Sequence, residues 1–190
     1  MSSHLIKEAA LTLFAEKGYE GTSLAQIADE VGLKKQSLYS HFKSKDDLFL
    51  QVLTETFAIE YEREKEFLHT HFEEPLSDYL WKSLRNYTDR YHNDSRQKFL
   101  LRTSFFPPSH LYQQVIHHLY DHIERVDALY LQRFEQGAES KEMKKTDPLT
   151  ATMAFSTLID SICVELVYGS KERTEKKLQA GWTVYWNGIA

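Results

Sequence analysis

Between Val31 and Lys45 the chain gathers groups that can donate or accept at the edges of bases and at phosphates: Lys34, Lys35, Gln36, Ser37, Tyr39, Ser40, His41 and Lys45. Amide, hydroxyl and imidazole groups of this kind read base edges, and lysines meet the sugar–phosphate backbone. This stretch holds four lysines and no carboxylate in a chain whose formal net charge is −5. A basic island on an acidic protein fits a phosphate-facing surface, because lysines release counterions from a duplex. The plainer alternative is a solvated helical pair inside an ordinary bundle. The surrounding pattern decides between them.

That pattern is a helix, a tight turn and a second short helix. Thr22 or Ser23 can cap the first, since a hydroxyl there accepts from a free N–H of the opening turn. Leu24, Ile27, Ala28 and Val31 give it one apolar face. Gly32 stands where the helix must stop, and glycine takes the left-handed conformation that such a stop requires. Leu33 turns inward, and Leu38 and Phe42 are the apolar side of the next helix, which leaves the polar groups outward. Ser44 caps a third helix with Asp46 and Asp47 in its first turn, where carboxylates meet the positive end of the helix dipole. Asp47 holds the capping-box position relative to Ser44. Lys45 and the free N–H groups at that helix start could meet a phosphate. A preceding helix, Ser3 to Lys17, carries Ile6, Ala9, Ala10, Leu13 and Phe14 as one stripe and backs the pair.

The chain has 190 residues, 42 % of them apolar, so it can bury a core. Seven glycines, four prolines and scarce β-branched alternation predict an all-α fold. No run reads as long and apolar enough to span a bilayer, and the N-terminus lacks the parts of a signal peptide. The single cysteine, Cys163, excludes an internal disulfide and suits a reducing compartment, so a cytoplasmic location is expected. No nucleophile elbow, phosphate loop or dinucleotide fingerprint supports an enzyme. Nine histidines invite a metal, and His118 and His122 share a helix face, but two ligands do not close a site; no metal and no cofactor are expected.

After the third helix, which the periodicity extends from Ser44 to about Phe72, further helices are expected over Pro75–His92, Arg96–Phe106, Ser109–Glu139, Asp147–Tyr168 and Lys171–Trp186. The helix after Asp147-Pro148 is the most apolar and should be buried on more than one side. With the last helix it suggests a dimer interface, because surplus apolar surface marks association. Asp160 and Glu165 on that helix must be paired or solvated; a lysine or arginine partner across the dimer is the favoured reading and a cationic effector the alternative.

The N-terminal residues resemble the tetracycline-repressor (TetR/AcrR) family of bacterial transcription regulators. The resemblance rests on Ala10–Phe14, Gly18-Tyr19, Thr22-Ser23, Ile27-Ala28, Val31-Gly32-Leu33, Ser37-Leu38-Tyr39, His41-Phe42 and Lys45-Asp46-Asp47-Leu48. It implies a three-helix helix-turn-helix DNA-binding domain over residues 1–47 and a helical effector-binding and dimerisation domain over 48–190. It further implies a homodimer, a palindromic double-stranded DNA operator and a small-molecule effector that releases it. Carried onto this chain, the recognition helix falls on about Lys35–His41. Gln36 and Ser37 would face bases, Lys34, Lys35 and His41 bases or backbone, and Tyr39, Thr22, Ser23 and Lys45 phosphates. Side chains expected to line an effector pocket are Trp81, Tyr87, Phe99, Thr103, Tyr112, Tyr120, Asp160 and Cys163, with core packing the alternative for each aromatic.

Overall fold

The computed structural model describes residues 3–190, and among them the only regular structure is helical. The helices are α1 (Ser3–Lys17), α2 (Leu24–Glu30), α3 (Lys35–Leu38), α4 (Lys45–Thr70), α5 (Leu76–Asn93), α6 (Ser95–Phe105), α7 (Tyr112–Glu139), α8 (Pro148–Tyr168) and α9 (Lys171–Ile189), with a 3-10 turn at Ser109–Leu111 before α7. The chain forms two compact units. One comprises residues up to Glu60 together with Asn93–His122; the other comprises Tyr61–His92 and Ile123–Ala190. The sequence reading divides the chain at 47/48, but α4 runs unbroken through that point, and the first unit also takes in α6 and the start of α7.

The first unit is built on apolar stripes that sequence periodicity anticipates. Ile6, Ala10, Phe14, Ile27, Ala28, Leu38, Leu48, Phe49, Leu53 and Phe99 are all essentially removed from water. Three phenylalanines form its centre. The Phe14 ring meets Phe49 edge-on at 5.2 Å, and Phe99 lies 5.7 Å from Phe49 and 6.2 Å from Phe14. Offset and edge-on pairs of this kind add to area burial. α6 is fastened along α1 by polar ties. Arg96 donates to Glu8 at 2.6 Å, and Arg102 Nη1 donates to the Glu16 carbonyl at 3.2 Å.

The second unit centres on Tyr79, Leu80, Leu84, Tyr130, Phe134 and Phe155. Tyr130 packs on Phe155 at 5.0 Å, and its hydroxyl donates to Glu64 at 2.8 Å. Arg133, only 2 % exposed, donates from Nη2 to the Glu74 carbonyl at 2.7 Å and to Glu142 at 3.0 Å. Glu142 in turn accepts the Leu76 N–H at 2.5 Å and so satisfies an open donor at the start of α5. The three tryptophans stand together, with Trp182 5.6 Å from both Trp81 and Trp186.

α8 corrects one expectation. By length and composition alone it is long and apolar enough to cross a membrane. Its arrangement is that of a core helix with one face left open. Phe155, Ile162 and Leu166 are buried, and the buried Glu165 is held by Lys177 at 2.6 Å and Arg173 at 2.8 Å, both from α9. The sequence reading expects Glu165 to find its cation across a dimer, but both its partners come from the same chain, because α9 packs back along α8. Opposite this face, Leu149, Met153, Asp160, Val164 and Tyr168 are exposed at spacings of four or seven residues, and Val184 of α9 is exposed as well.

Candidate nucleic-acid interface

The reading head is assembled by local rules. Ser23, rather than Thr22, caps α2: its hydroxyl accepts from Gln26 N–H while the Gln26 side chain accepts from Ser23 N–H at 2.8 Å, a complete capping box. The helix ends in a Schellman motif. Leu33 N–H reaches the Ala28 carbonyl at 2.8 Å, Gly32 N–H reaches Asp29 at 3.1 Å, and Gly32 has φ +67°. Gly18 has φ +73° at the end of α1. Glycine suits both positions because a Cβ there would crowd the backbone.

α3 is shorter than the expected Lys35–His41. Regular helix covers Lys35–Leu38, and Tyr39 to Phe42 continue as a turn in which both His41 and Phe42 N–H groups reach the Leu38 carbonyl at 2.9 Å. Ser40 Oγ donates to the Ser37 carbonyl at 2.7 Å, a local bond that competes with the helical ladder. Leu38 and Phe42 are buried beneath this segment, and Lys34, Lys35, Gln36, Ser37, Tyr39 and His41 all stand exposed on its outer side. Tyr39 keeps 52 % of its surface in water. One short segment therefore presents three cations or potential cations, an amide and two hydroxyls, with no carboxylate among them.

Two side chains expected at phosphates are placed otherwise. Thr22 is 2 % exposed, and its hydroxyl donates to the carbonyls of Gly18 at 2.8 Å and Leu13 at 3.1 Å. Lys45 is half-buried, and its ammonium donates to the Tyr19 and Thr22 carbonyls at 2.8 and 2.9 Å. Both polar tips are turned into the head's own backbone, because the loop from Gly18 to Thr22 leaves carbonyls that helix bonds do not satisfy. Ser44 caps α4 through Asp47 N–H at 3.1 Å, but the Asp47 carboxylate accepts from Lys43 N–H at 2.8 Å, one residue before the usual box partner. The Gln51 amide and that Lys43 N–H hold the Asp47 carboxyl below its ordinary range.

A polar node that sequence spacing does not disclose adjoins the head. Asp46 accepts from the Tyr19 hydroxyl and lies 3.3 Å from His110 Nε2, in the 3-10 turn before α7. The Tyr19 hydrogen bond, followed by His110, lowers the Asp46 pKa; burial, with that same hydrogen bond, raises the Tyr19 phenol above its usual value. These residues are 27 and 64 positions apart in the chain, so periodicity carries no signal of the contact.

The expected effector residues are divided between the two units. Phe99 belongs to the phenylalanine core of the first unit, and Thr103 is buried. Tyr112 and Tyr120 are 47 % and 59 % exposed. In the second unit Trp81 lies against Trp182, Tyr87 is half-buried, Asp160 is on the open face of α8, and Cys163 is buried with its thiol pushed up to about 12 by desolvation and then by Asp160. An open groove of about 530 Å³ runs along α9 between Glu175 and Val184, and another of about 430 Å³ lies beside Glu8, Leu13 and Glu30; neither is lined by these residues. Among the described residues no three His, Cys, Asp or Glu side chains converge as a metal site.

Residues 6–52 match the family model of the bacterial regulatory proteins, tetR family. Over 100 residues the chain is 33 % identical to the biofilm operon icaADBC HTH-type negative transcriptional regulator IcaR of Staphylococcus epidermidis, a match that spans 53 % of this chain and 44 % of that protein. Over 46 residues it is 54 % identical to the regulator of the same name in Staphylococcus aureus, 24 % of this chain and 25 % of that one. The matches thus span less than half the length of these relatives. In fold, the chain is similar to E. coli NemR in its reduced form, with a TM-score of 0.77 at 17 % identity over 98 % of this chain and 96 % of that one. It is also similar to FadR of Bacillus subtilis in complex with stearoyl-CoA, with a TM-score of 0.69 at 18 % identity and full coverage of both. Fold and reading head together define an all-helical protein with an N-terminal helix-turn-helix domain and a helical C-terminal body. The reading head, residues 6–52, is thus similar to that of the bacterial regulatory proteins of the tetR family.

Proposed function

We propose that this chain is a transcriptional repressor that binds a palindromic operator as a homodimer and is released by a small-molecule effector. The observation that carries the reading is the exposed segment Lys34–His41, seated on buried Leu38 and Phe42. In this reading Gln36 and Ser37 reach base edges, and Lys34, Lys35, Tyr39, His41 and Ser23 meet phosphates or bases. Thr22 and Lys45 shape the head from within. DNA contacts lie within residues 1–47, and effector binding and dimerisation within 48–190.

Dimerisation is supported by the open apolar stripe Leu149, Met153, Val164 and Tyr168 on α8, with Val184 on α9. A stripe of this kind on a helix that is otherwise core is the usual mark of association. Two reading heads would meet half-sites about one helical turn apart, ~34–36 Å. The effector acts by preferring one of two spacings of the heads, and can shift the equilibrium only by its difference in affinity for them. The negative regulators similar in the head, and the ligand-bound FadR similar in fold, support repression and effector control respectively. The protein acts by binding rather than turnover, in the cytoplasm where its operator is accessible, and needs no cofactor or membrane.

The test is selection of genomic fragments by the purified protein at near-physiological salt, followed by sedimentation of the complex. Recovery of a palindrome bound by two chains is the expected result. Recovery of random fragments, or one chain per site, overturns the proposal.

A further inference from the structure

Within the first unit, besides the packing of Phe99 on Phe14 and Phe49, α6 and the turn that follows it make three polar contacts with the reading head among the described residues. Arg96 of α6 pairs with Glu8 near the middle of α1, and Arg102 donates to the Glu16 carbonyl at the end of α1. The third point is different in kind. His110, in the turn between α6 and α7, approaches Asp46 at 3.3 Å and lies edge-on to the Tyr19 ring at 5.4 Å. Asp46 accepts at the same time from the Tyr19 hydroxyl.

The consequences of holding Tyr19 are local and can be followed atom by atom. The Tyr19 carbonyl is one of two that receive the Lys45 ammonium, and that ammonium lies 3.8 Å from the centre of the Tyr19 ring. The Tyr19 carbonyl also accepts from Thr22 N–H at 3.3 Å, and Thr22 immediately precedes Ser23, the cap of α2. The Tyr19 ring lies against Phe49 at 5.1 Å, in the apolar face that α4 turns to the head. A side chain of the α6–α7 turn is thereby joined to the loop that sets where α2 begins and to the first turn of α4.

We propose that Asp46 is the latch by which the α6–α7 turn positions the reading head, with His110 as the positioning residue on the turn and Tyr19 as the one on the head. This deepens the repressor reading and, for its consequences on DNA, rests on it. Asp46 is suited to the role because one carboxylate accepts from two donors on different elements. A shift of the turn that withdraws His110 leaves Tyr19 as its remaining donor and loosens the Gly18–Ser23 loop. His110 and Asp46 are 50 % and 42 % exposed, so the pair is weak enough to open without unfolding the core. A latch needs that property, and a structural core contact would not have it.

The test is a double-mutant cycle read in two ways. His110→Leu, Asp46→Asn and the double variant are compared with wild type for affinity to the selected operator fragment, and for amide exchange at Thr22. The latch predicts that each single change weakens the operator complex by about threefold to fivefold, the size of one exposed charge pair. It predicts that the double variant is no worse than either single, because the two act as one unit. The Thr22 amide should exchange about threefold faster with thermal midpoints unchanged, an effect within the range of local opening. His110→Gln, which keeps a donor where Nε2 stands, should restore both readings. Additive losses, or wild-type exchange at Thr22 in His110→Leu, overturn the latch. Amide exchange decides it without DNA, so a protein that selects no operator sinks the repressor reading alone.

Discussion

The ammonium of Lys45 donates to the Tyr19 carbonyl at 2.8 Å and lies 3.8 Å from the centre of the Tyr19 ring. A lysine at the start of a helix that faces the head could serve a phosphate, but here its donors are used inside the protein. The contact distinguishes two kinds of lysine in one basic stretch. Lys34 and Lys35 are exposed; Lys45 is half-buried. Lys45→Ala should therefore lower the thermal midpoint of the head, since it removes donors from two backbone carbonyls and a cation–ring contact worth about 1 kcal/mol. The slope of log affinity against log salt should change little. Calorimetry beside a salt titration checks both, and a slope that falls by a full phosphate returns Lys45 to the DNA surface.

Lys34→Ala and Lys35→Ala are expected to behave in the opposite way. Neither side chain supports the core, so thermal stability should stay within about 0.5 kcal/mol of wild type. Each should reduce the salt slope by about 0.9, the contribution of one neutralised phosphate. Anisotropy titrations across a range of salt concentrations decide this, and parallel slopes would place both lysines off the DNA.

Gln36 is the exposed amide next to those lysines. Its substitution by alanine should alter which fragments are selected, at a cost of about 1–3 kcal/mol for the base it reads, and leave the salt slope unchanged. Repeating the selection with the variant tests it. An unchanged consensus with uniformly weaker binding would assign Gln36 to the backbone instead.

The open stripe of α8 makes a prediction about assembly. Met153 is 57 % exposed in the second turn of that helix. Met153→Glu should place a charge on the stripe and shift the protein to monomer at micromolar concentration, with helical content retained. Sedimentation equilibrium measures it. A wild-type protein that is already monomeric, or a variant that remains dimeric, would move the interface elsewhere.

Glu165 and Asp127 should respond to pH with opposite signs. Lys177, and then Arg173, hold the Glu165 carboxyl below its ordinary range although desolvation opposes them. A folded pKa below the unfolded one gives stability that is present above the unfolded value, near 4.3, and is lost as pH falls through the folded value. Glu165→Gln should therefore lower the thermal midpoint at pH 7, and the difference should shrink below about pH 4. Asp127 is raised, mainly by burial and further by Asp160, while Ser156 opposes the shift. Its charged form is disfavoured in the fold, so Asp127→Asn should be neutral or stabilising at pH 7 and lose that advantage in acid. Midpoints measured from pH 3 to pH 8 compare the two. A common sign would show that one of the two environments is misread.

The helices themselves were legible from residue order. Ser23, Gly32 and the Asp147-Pro148 pair are local signals, and each acts within about four positions of itself, so the limits of α2 and the start of α8 follow from neighbours along the chain, whereas α9, expected to end at Trp186, continues to Ile189. The exposed face of residues 34–41 was legible for the same reason: Leu38 and Phe42 are the apolar positions, and what remains must face out. Position along a helix could not show where a long polar side chain bends. Lys45 and Thr22 carry the right chemistry for a phosphate, and only the fold decided that the carbonyls of Leu13, Gly18, Tyr19 and Thr22 would take their donors first. Tertiary structure also decided that Phe99 would join Phe14 and Phe49 in one core, that Glu165 would be neutralised from α9, and that His110 would stand at Asp46. The physical reason is common to all of them. Helix formation is governed by bonds and side chains within a turn or two, whereas a donor's partner across tens of residues is selected by the packing that brings it near.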